Sequence, residues 1–313
     1  MRQLLRPALL VTLAICILLP LISPNNFTLD IAIRAALVAI AAIGLNLLMG
    51  FAGQISIGHA AFVAIGSYGS GILCARLNWP PLVALPIAAT GAAIVAYIIA
   101  KPILRLKGYS VAMATLGLGI IVNITLVNEV RWTGGPDGMA VVPLRLGKFE
   151  LTSIMDWYVV AVVFLLLSIV LSLNLYDSPA GRALRGLNSS EIAAQAMGVN
   201  VAAAKSQAFV VSAIFATVSG SLSAHYIGFI TPTISSFSQS VELATMVVLG
   251  GMASTFGAVL GAVLLMVLPQ LLGGFHDYEA IFFGLILMLT MIFLPKGLVP
   301  SLAEFFKARV KEN

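Results

Sequence analysis

Long apolar stretches alternate with short polar breaks along the whole chain. Runs cover residues 7–22, 35–49, 60–75, 82–100, 109–127, 157–175, 207–226, 241–249, 256–272 and 280–294. Most approach the roughly 20 residues that a helix needs to cross a bilayer's hydrocarbon. The pattern therefore predicts about ten transmembrane helices, the run at 241–249 reaching spanning length only by borrowing residues 235–240. The first run follows Arg2 and Arg6 and stops at Ser23-Pro24-Asn25-Asn26, which fits a first span or an uncleaved signal-like anchor, since no small-residue cleavage site follows it.

Composition removes the soluble alternatives. Of 313 residues 60% are hydrophobic and 9% charged, too few charges to clothe a water-facing surface. The fold class is thus all-α and polytopic, with its polar solvent confined to loops and its apolar solvent being lipid. Seventeen basic residues against twelve acidic ones give a net charge of +5. That excess orients the chain in a membrane rather than marking a nucleic-acid surface. With the N-terminus inside, alternate loops place Arg2, Arg6, Lys101, Arg105, Lys107, Arg182, Arg185, Lys205, Lys296, Lys307, Arg309 and Lys311 in the cytoplasm. Arg34, Arg76, Arg131, Arg145 and Lys148 fall outside. This bias favours cytoplasmic placement of both termini. Cys16 and Cys74 lie within apolar runs, where a thiol behaves as a small hydrophobe.

Two loops exceed a simple turn, 128–156 outside and 176–206 inside. The outer loop opens with turn chemistry, Thr133-Gly134-Gly135-Pro136-Asp137-Gly138, and continues into an alternating stretch suited to a strand pair. In the inner loop, Ser178-Pro179 opens a basic helix carrying Arg182 and Arg185. Ser189 or Ser190 then caps a second helix from Glu191 to Met197 that ends at Gly198. Its small residues, Ala193, Ala194 and Ala196, beside Ile192 and Met197, give it a low apolar face that suits a partner's groove better than a lipid surface.

Glycines and polar side chains interrupt the apolar pattern between Gly44 and His59. Irregular backbone at membrane depth is tolerated where it is buried in protein or lines a cavity. Two readings follow: a broken helix facing a small polar solute, or close packing through Gly44, Gly50 and Gly53. Similar spacing recurs from Gly250 to Gly261, a weak internal repeat with broken helices near the midplane. Candidate pathway residues are Asn46, Gln54, Ser56, His59, Thr115 and Asn123. His59 reads first as a histidine held by local hydrogen bonds and only second as a ligand or proton relay. Motifs for a zinc protease, a redox dithiol, a serine hydrolase elbow and a phosphate-binding loop are missing from the sequence. Any ATP-driven process needs a separate ATPase chain.

Four segments together resemble the M-type permease subunit of branched-chain amino acid ABC transporters. They are Gly44 to Gly66; Arg105 to Gly119 with Thr133 to Gly138; Ser178 to Lys205; and Met246 to Gly261 with Leu294 to Leu298. The resemblance spans nearly the whole chain and implies a single transmembrane permease domain over residues 1–313. It implies transport of leucine, isoleucine, valine or related small amino acids across a bacterial inner membrane. Permeation of urea or short amides, and a stand-alone secondary carrier, are the alternatives. Implied partners are a second homologous permease, two cytoplasmic ABC ATPases that bind ATP and Mg, a periplasmic substrate-binding protein and membrane lipid, with no cofactor in this chain. The helix at Glu191, Ala194 and Gly198, with Arg182 and Arg185, is similar to the family's ATPase-coupling segment. Ala193, Ala194 and Gly198 fit its pattern, whereas Glu191 sits one residue early.

Overall fold

The computed structural model describes residues 2–22, 25–103, 106, 108–146, 149–151, 153–272, 284–285, 288, 292 and 297–301. Its helices are α1 (Arg2–Ile22), α2 (Asn26–Asn46, continued by a wide turn, Leu47–Phe51), α3 (Ala60–Leu77), α4 (Pro81–Ile103), α5 (Tyr109–Asn128) and α6 (Val130–Thr133). They continue as α7 (Ile154–Asp177), α8 (Pro179–Ser189), α9 (Glu191–Ala196), α10 (Val201–Ile227), α11 (Phe237–Gly250) and α12 (Thr255–Leu272). The first nine apolar runs all lie within helices, and six of these helices are long and apolar enough to cross a membrane. The tenth run and the basic tail from Lys307 lie largely outside the described residues.

Helix α2 begins at Asn26 rather than at the first apolar residue of its run. Asn25 caps it, its side chain accepting from the Phe27 N–H, and Asp30 and Arg34 pair one turn apart at 2.8 Å. A polar first turn is thereby helical as well. Below it α2 is buried on nearly every side by α7, α10, α11 and α12, and it forms the axis of the bundle.

Small residues decide the packing. In α4, Ala84, Ala88, Ala92, Ala96 and Ala100 recur every fourth residue and are all buried toward α3 and α10. The bulky Leu82, Val83, Ile94, Tyr97 and Ile98 of the same helix are exposed. This inversion of the soluble pattern follows from lipid being as apolar as leucine: hydrophobicity does not drive one helix onto another, so close backbone approach and dispersion do. Helices α3 and α10 cross at backbone contact. A Cβ on Gly66 would sit 2.1 Å from the Thr217 carbonyl oxygen, and one on Gly220 would sit 2.0 Å from that of Val63.

Loop contacts sort into two faces, as alternating spans require. On one face β1 (Met139–Ala140) pairs antiparallel with β4 (Phe229–Ile230), and β2 (Arg145–Leu146) pairs with β3 (Phe149–Glu150). The Trp157 and Tyr226 rings meet there at 5.3 Å. The alternating stretch predicts one strand pair, and the second pairing, to β4, joins segments distant in sequence. On the other face Phe51 meets Tyr176 at 5.2 Å, Asn188 donates to the Gly50 carbonyl, and Ser172 bonds Thr255.

Gly66→Val should destabilise the detergent-solubilised protein by about 1–3 kcal/mol through overpacking at the α3 and α10 crossing. Gly91→Ala, at a position with no atom near the added methyl, should leave the thermal midpoint unchanged. Equal midpoints for the two variants would contradict this close-packed crossing.

Candidate functional site

The interruption after α2 is a built structure. From Leu47 the helix widens by one residue per turn, and Gln54 N–H still reaches the Leu48 carbonyl at 3.1 Å. Gly53 then turns the chain at φ +64°, and it packs against Asn188 of α8. The segment beyond is non-helical until Ala60, so its amides have no ladder partner. Side chains from distant helices supply them. Thr115 Oγ1 of α5 accepts from Ile57 N–H at 3.1 Å, and Ser240 Oγ of α11 accepts from Ala60 N–H at 3.2 Å. His59 is fully buried, its Nε2 lying 3.0 Å from Ser212 Oγ and 3.2 Å from the Ser212 carbonyl oxygen of α10.

The two glycine-rich interruptions touch each other. Asn46 Oδ1 accepts from the Ala253 N–H at 2.9 Å, and a Cβ on Gly50 would lie 2.2 Å from the Ala253 nitrogen. Gly44 likewise admits the Phe215 side chain and the Ser212 carbonyl of α10. Close packing is thus realised at Gly44 and Gly50. Gln54 and Ser56 are buried in the same segment. Asn123 stands apart, two turns along α5 from Thr115, donating to the Pro232 carbonyl oxygen and to Ser235 Oγ at 2.9 Å each.

Open space lies elsewhere. A half-open cavity of about 600 Å³ enters from the strand-bearing face between α2, α10, α11 and the 229–236 segment, with Ala60 at the start of α3 in its wall. None of the six candidate pathway residues lines it. Its charged lining residues are Arg34 and Glu242. The charge pattern placed Arg34 outside and did not bring it together with Glu242. Ser212 and Ser240 carried no local signal, because their partners are 153 and 180 residues away.

On the opposite face, the 176–206 loop folds as two capped helices. Ser178 accepts from Gly181 N–H and Ser190 from Ala193 N–H, with Pro179 in the first turn of α8. Arg182 donates to the Asp177 carbonyl oxygen, and Arg185 donates to that of Tyr176 while lying 3.9 Å over the Tyr176 ring. Both arginines therefore fold back on the C-terminus of α7, where carbonyls lack helical partners. In α9, Ala194 faces inward and is buried, whereas Ile192 and Met197 are 83% and 75% exposed. Gly198 ends the helix in the left-handed region at φ +84°.

Glu191 pairs with Lys205. Lys205, which the charge pattern counts among the loop cations, is instead the fifth residue of α10 and only 3% exposed. The pair ties α9 to a 27-residue helix that grips His59 through Ser212 and reaches the strand-bearing face at Tyr226. At 1.5 Å per residue that helix is about 40 Å long. Displacement of α9 is thereby referred to the whole thickness of the bundle.

A family model described as branched-chain amino acid transport system / permease component matches residues 27–294. The chain is similar to the high-affinity branched-chain amino acid transport system permease protein LivM of Escherichia coli (strain K12), at 34% identity over 297 residues, covering 87% of this chain and 70% of that protein. It is also similar to LivH of Salmonella typhimurium at 26% identity, covering 83% of this chain and 90% of that protein. The permease BraD of Pseudomonas aeruginosa is 27% identical, with 83% and 91% covered. No solved structure matches the chain.

Because Lys205 is the buried partner, Glu191→Ala should cost more stability than Lys205→Met. The first leaves an ammonium uncompensated, a loss of up to ~3 kcal/mol, moderated because the carboxylate side reaches water. The second removes the need for a partner. Limited proteolysis of the 176–206 loop should show faster cleavage in Glu191→Ala and recovery in the double variant; equal rates in all three would count against the pair.

Proposed function

The chain belongs to the branched-chain amino acid ABC permease family, M type, and from that premise we propose that it is the membrane-spanning subunit of an ATP-driven importer. It carries leucine, isoleucine, valine or related small amino acids across a bacterial inner membrane, with both termini cytoplasmic. It works beside a second homologous permease. Two cytoplasmic ATPases hold ATP and Mg and perform the hydrolysis, and a periplasmic binding protein delivers the substrate.

The observation that carries this reading is α9. Two large apolar side chains, Ile192 in this short helix and Met197 at its end, project without cover from any of the described residues. Such a knob suits a protein groove. Ala194 beneath it and the Glu191 and Lys205 pair beside it make the helix a lever rather than a loose tether. Closure of two ATPases around nucleotide moves α9, and α10 carries that movement to the buried junction at His59 and Ser212. In this mechanism Asn46, Gln54, Ser56, His59 and Thr115 form the hinge beside the path, and Asn123 holds the 232–235 turn that borders the cavity. Arg182 and Arg185 hold α8 on α7, and Glu191, Ala194 and Gly198 set the pose of α9.

Purification of the tagged protein in mild detergent should recover a second permease and ATPase chains by mass spectrometry. Recovery alone, with transport by the isolated chain under an ion gradient, would replace the importer by a secondary carrier. Within the complex, Gly198→Val should abolish substrate-stimulated ATP hydrolysis without impeding assembly. No atom blocks the added side chain, so the penalty is the left-handed backbone itself. Gly198→Asn should keep most of the stimulation, because asparagine tolerates that conformation.

A further inference from the structure

The cavity on the strand-bearing face joins two opposite charges to an aliphatic wall. Among its lining residues the charged ones are Arg34 of α2 and Glu242 of α11. They are not bonded to each other. Arg34 pairs through its Nε with the Asp30 carboxylate and lies 5.9 Å from the centre of the Tyr226 ring, which leaves most of the guanidinium's five donors without a described hydrogen-bond acceptor. Glu242 accepts one described hydrogen bond, from the Gln239 side-chain amide at 2.8 Å. A carboxylate can accept about four, and a partly buried one with a single neutral donor is under-satisfied. The same cavity is lined by Leu37 and Val38 of α2 and by Leu243 and Met246 of α11.

Each feature narrows the ligand. A metal or alkali cation is disfavoured, because one carboxylate is the only anionic ligand on these walls and a guanidinium shares them. A simple anion meets Glu242, and a wholly apolar solute leaves both charges unanswered. A zwitterion satisfies both at once with no net charge carried into the membrane. The volume of about 600 Å³ lies within the ordinary range for small-molecule sites.

We infer that this cavity is a binding station for a zwitterionic α-amino acid with an aliphatic side chain, Glu242 receiving the α-ammonium, Arg34 the α-carboxylate, and Leu37, Val38, Leu243 and Met246 the side chain. It rests on the importer reading above and adds selection by the permease itself to selection by a binding protein. Ala60 in the cavity wall adjoins His59. The station therefore lies directly against the junction that α10 moves.

The test uses the complete transporter in nanodiscs without binding protein, with radiolabelled leucine displaced by unlabelled leucine or by 4-methylpentanoate, which keeps the shape and lacks the ammonium. Wild type should prefer leucine, and Glu242→Gln should weaken leucine binding about tenfold or more, as loss of a charge-assisted bond predicts, and erase that preference. Glu242→Asp should retain part of both, which separates loss of charge from misfolding. Undiminished leucine binding in Glu242→Gln, or a preference that survives it, overturns the inference. Leucine import by the complete system with binding protein is measured in parallel. Wild type that imports no amino acid overturns the importer reading and this inference with it; import at wild-type rate and KM in Glu242→Gln overturns the inference alone.

Discussion

Every peptide group that leaves a helix inside this bundle must find a partner in protein, because lipid offers none. The segment between Phe51 and Ala60 is where that constraint bears hardest. Its amides are met by Thr115 from α5 and Ser240 from α11, its flanking carbonyl at Gly50 by Asn188 from α8, and His59 by Ser212 from α10. Four helices are thus held in register by the chemistry of one interruption. The same contacts bring the second interruption, at Ala253, against the first through Asn46.

This arrangement links the two faces of the molecule. The α8 and α9 loop is fastened to the interruption at Asn188 and to α10 at Lys205. The cavity on the strand-bearing face touches it at Ala60. A rigid α10, seated on α3 through Gly66 and Gly220, cannot tilt without disturbing the junction between them. In the proposed mechanism, close packing of this kind transmits a small movement at one face to the other.

The polar residues divide between two kinds of work. Those singled out along the chain as path candidates are largely engaged in protein hydrogen bonds: Asn46 with Ala253, Thr115 with Ile57, Asn123 with the 232–235 turn. The charged groups that line the open cavity, Arg34 and Glu242, lie in the first halves of α2 and α11. In a membrane bundle a buried serine or asparagine is first a backbone partner, and solvation of a substrate falls to groups with capacity left over.

The count of about ten spans was not reproduced, six of the described helices having spanning length, whereas the positions of the first nine apolar runs, the two long loops and the capped pair α8 and α9 were legible in the sequence. Each follows from local rules: the length of an apolar run, the spacing of caps, the left-handed glycine at 198. Which residue meets which across the bundle was not. Ser240 reaching Ala60, Lys205 burying itself against Glu191, and Arg34 sharing a cavity with Glu242 join positions far apart in the chain or on separate elements. Periodicity reports only which face of a helix is apolar. The azimuth and depth at which one helix meets another are set by steric fit among small residues, and that fit exists only once the bundle is assembled.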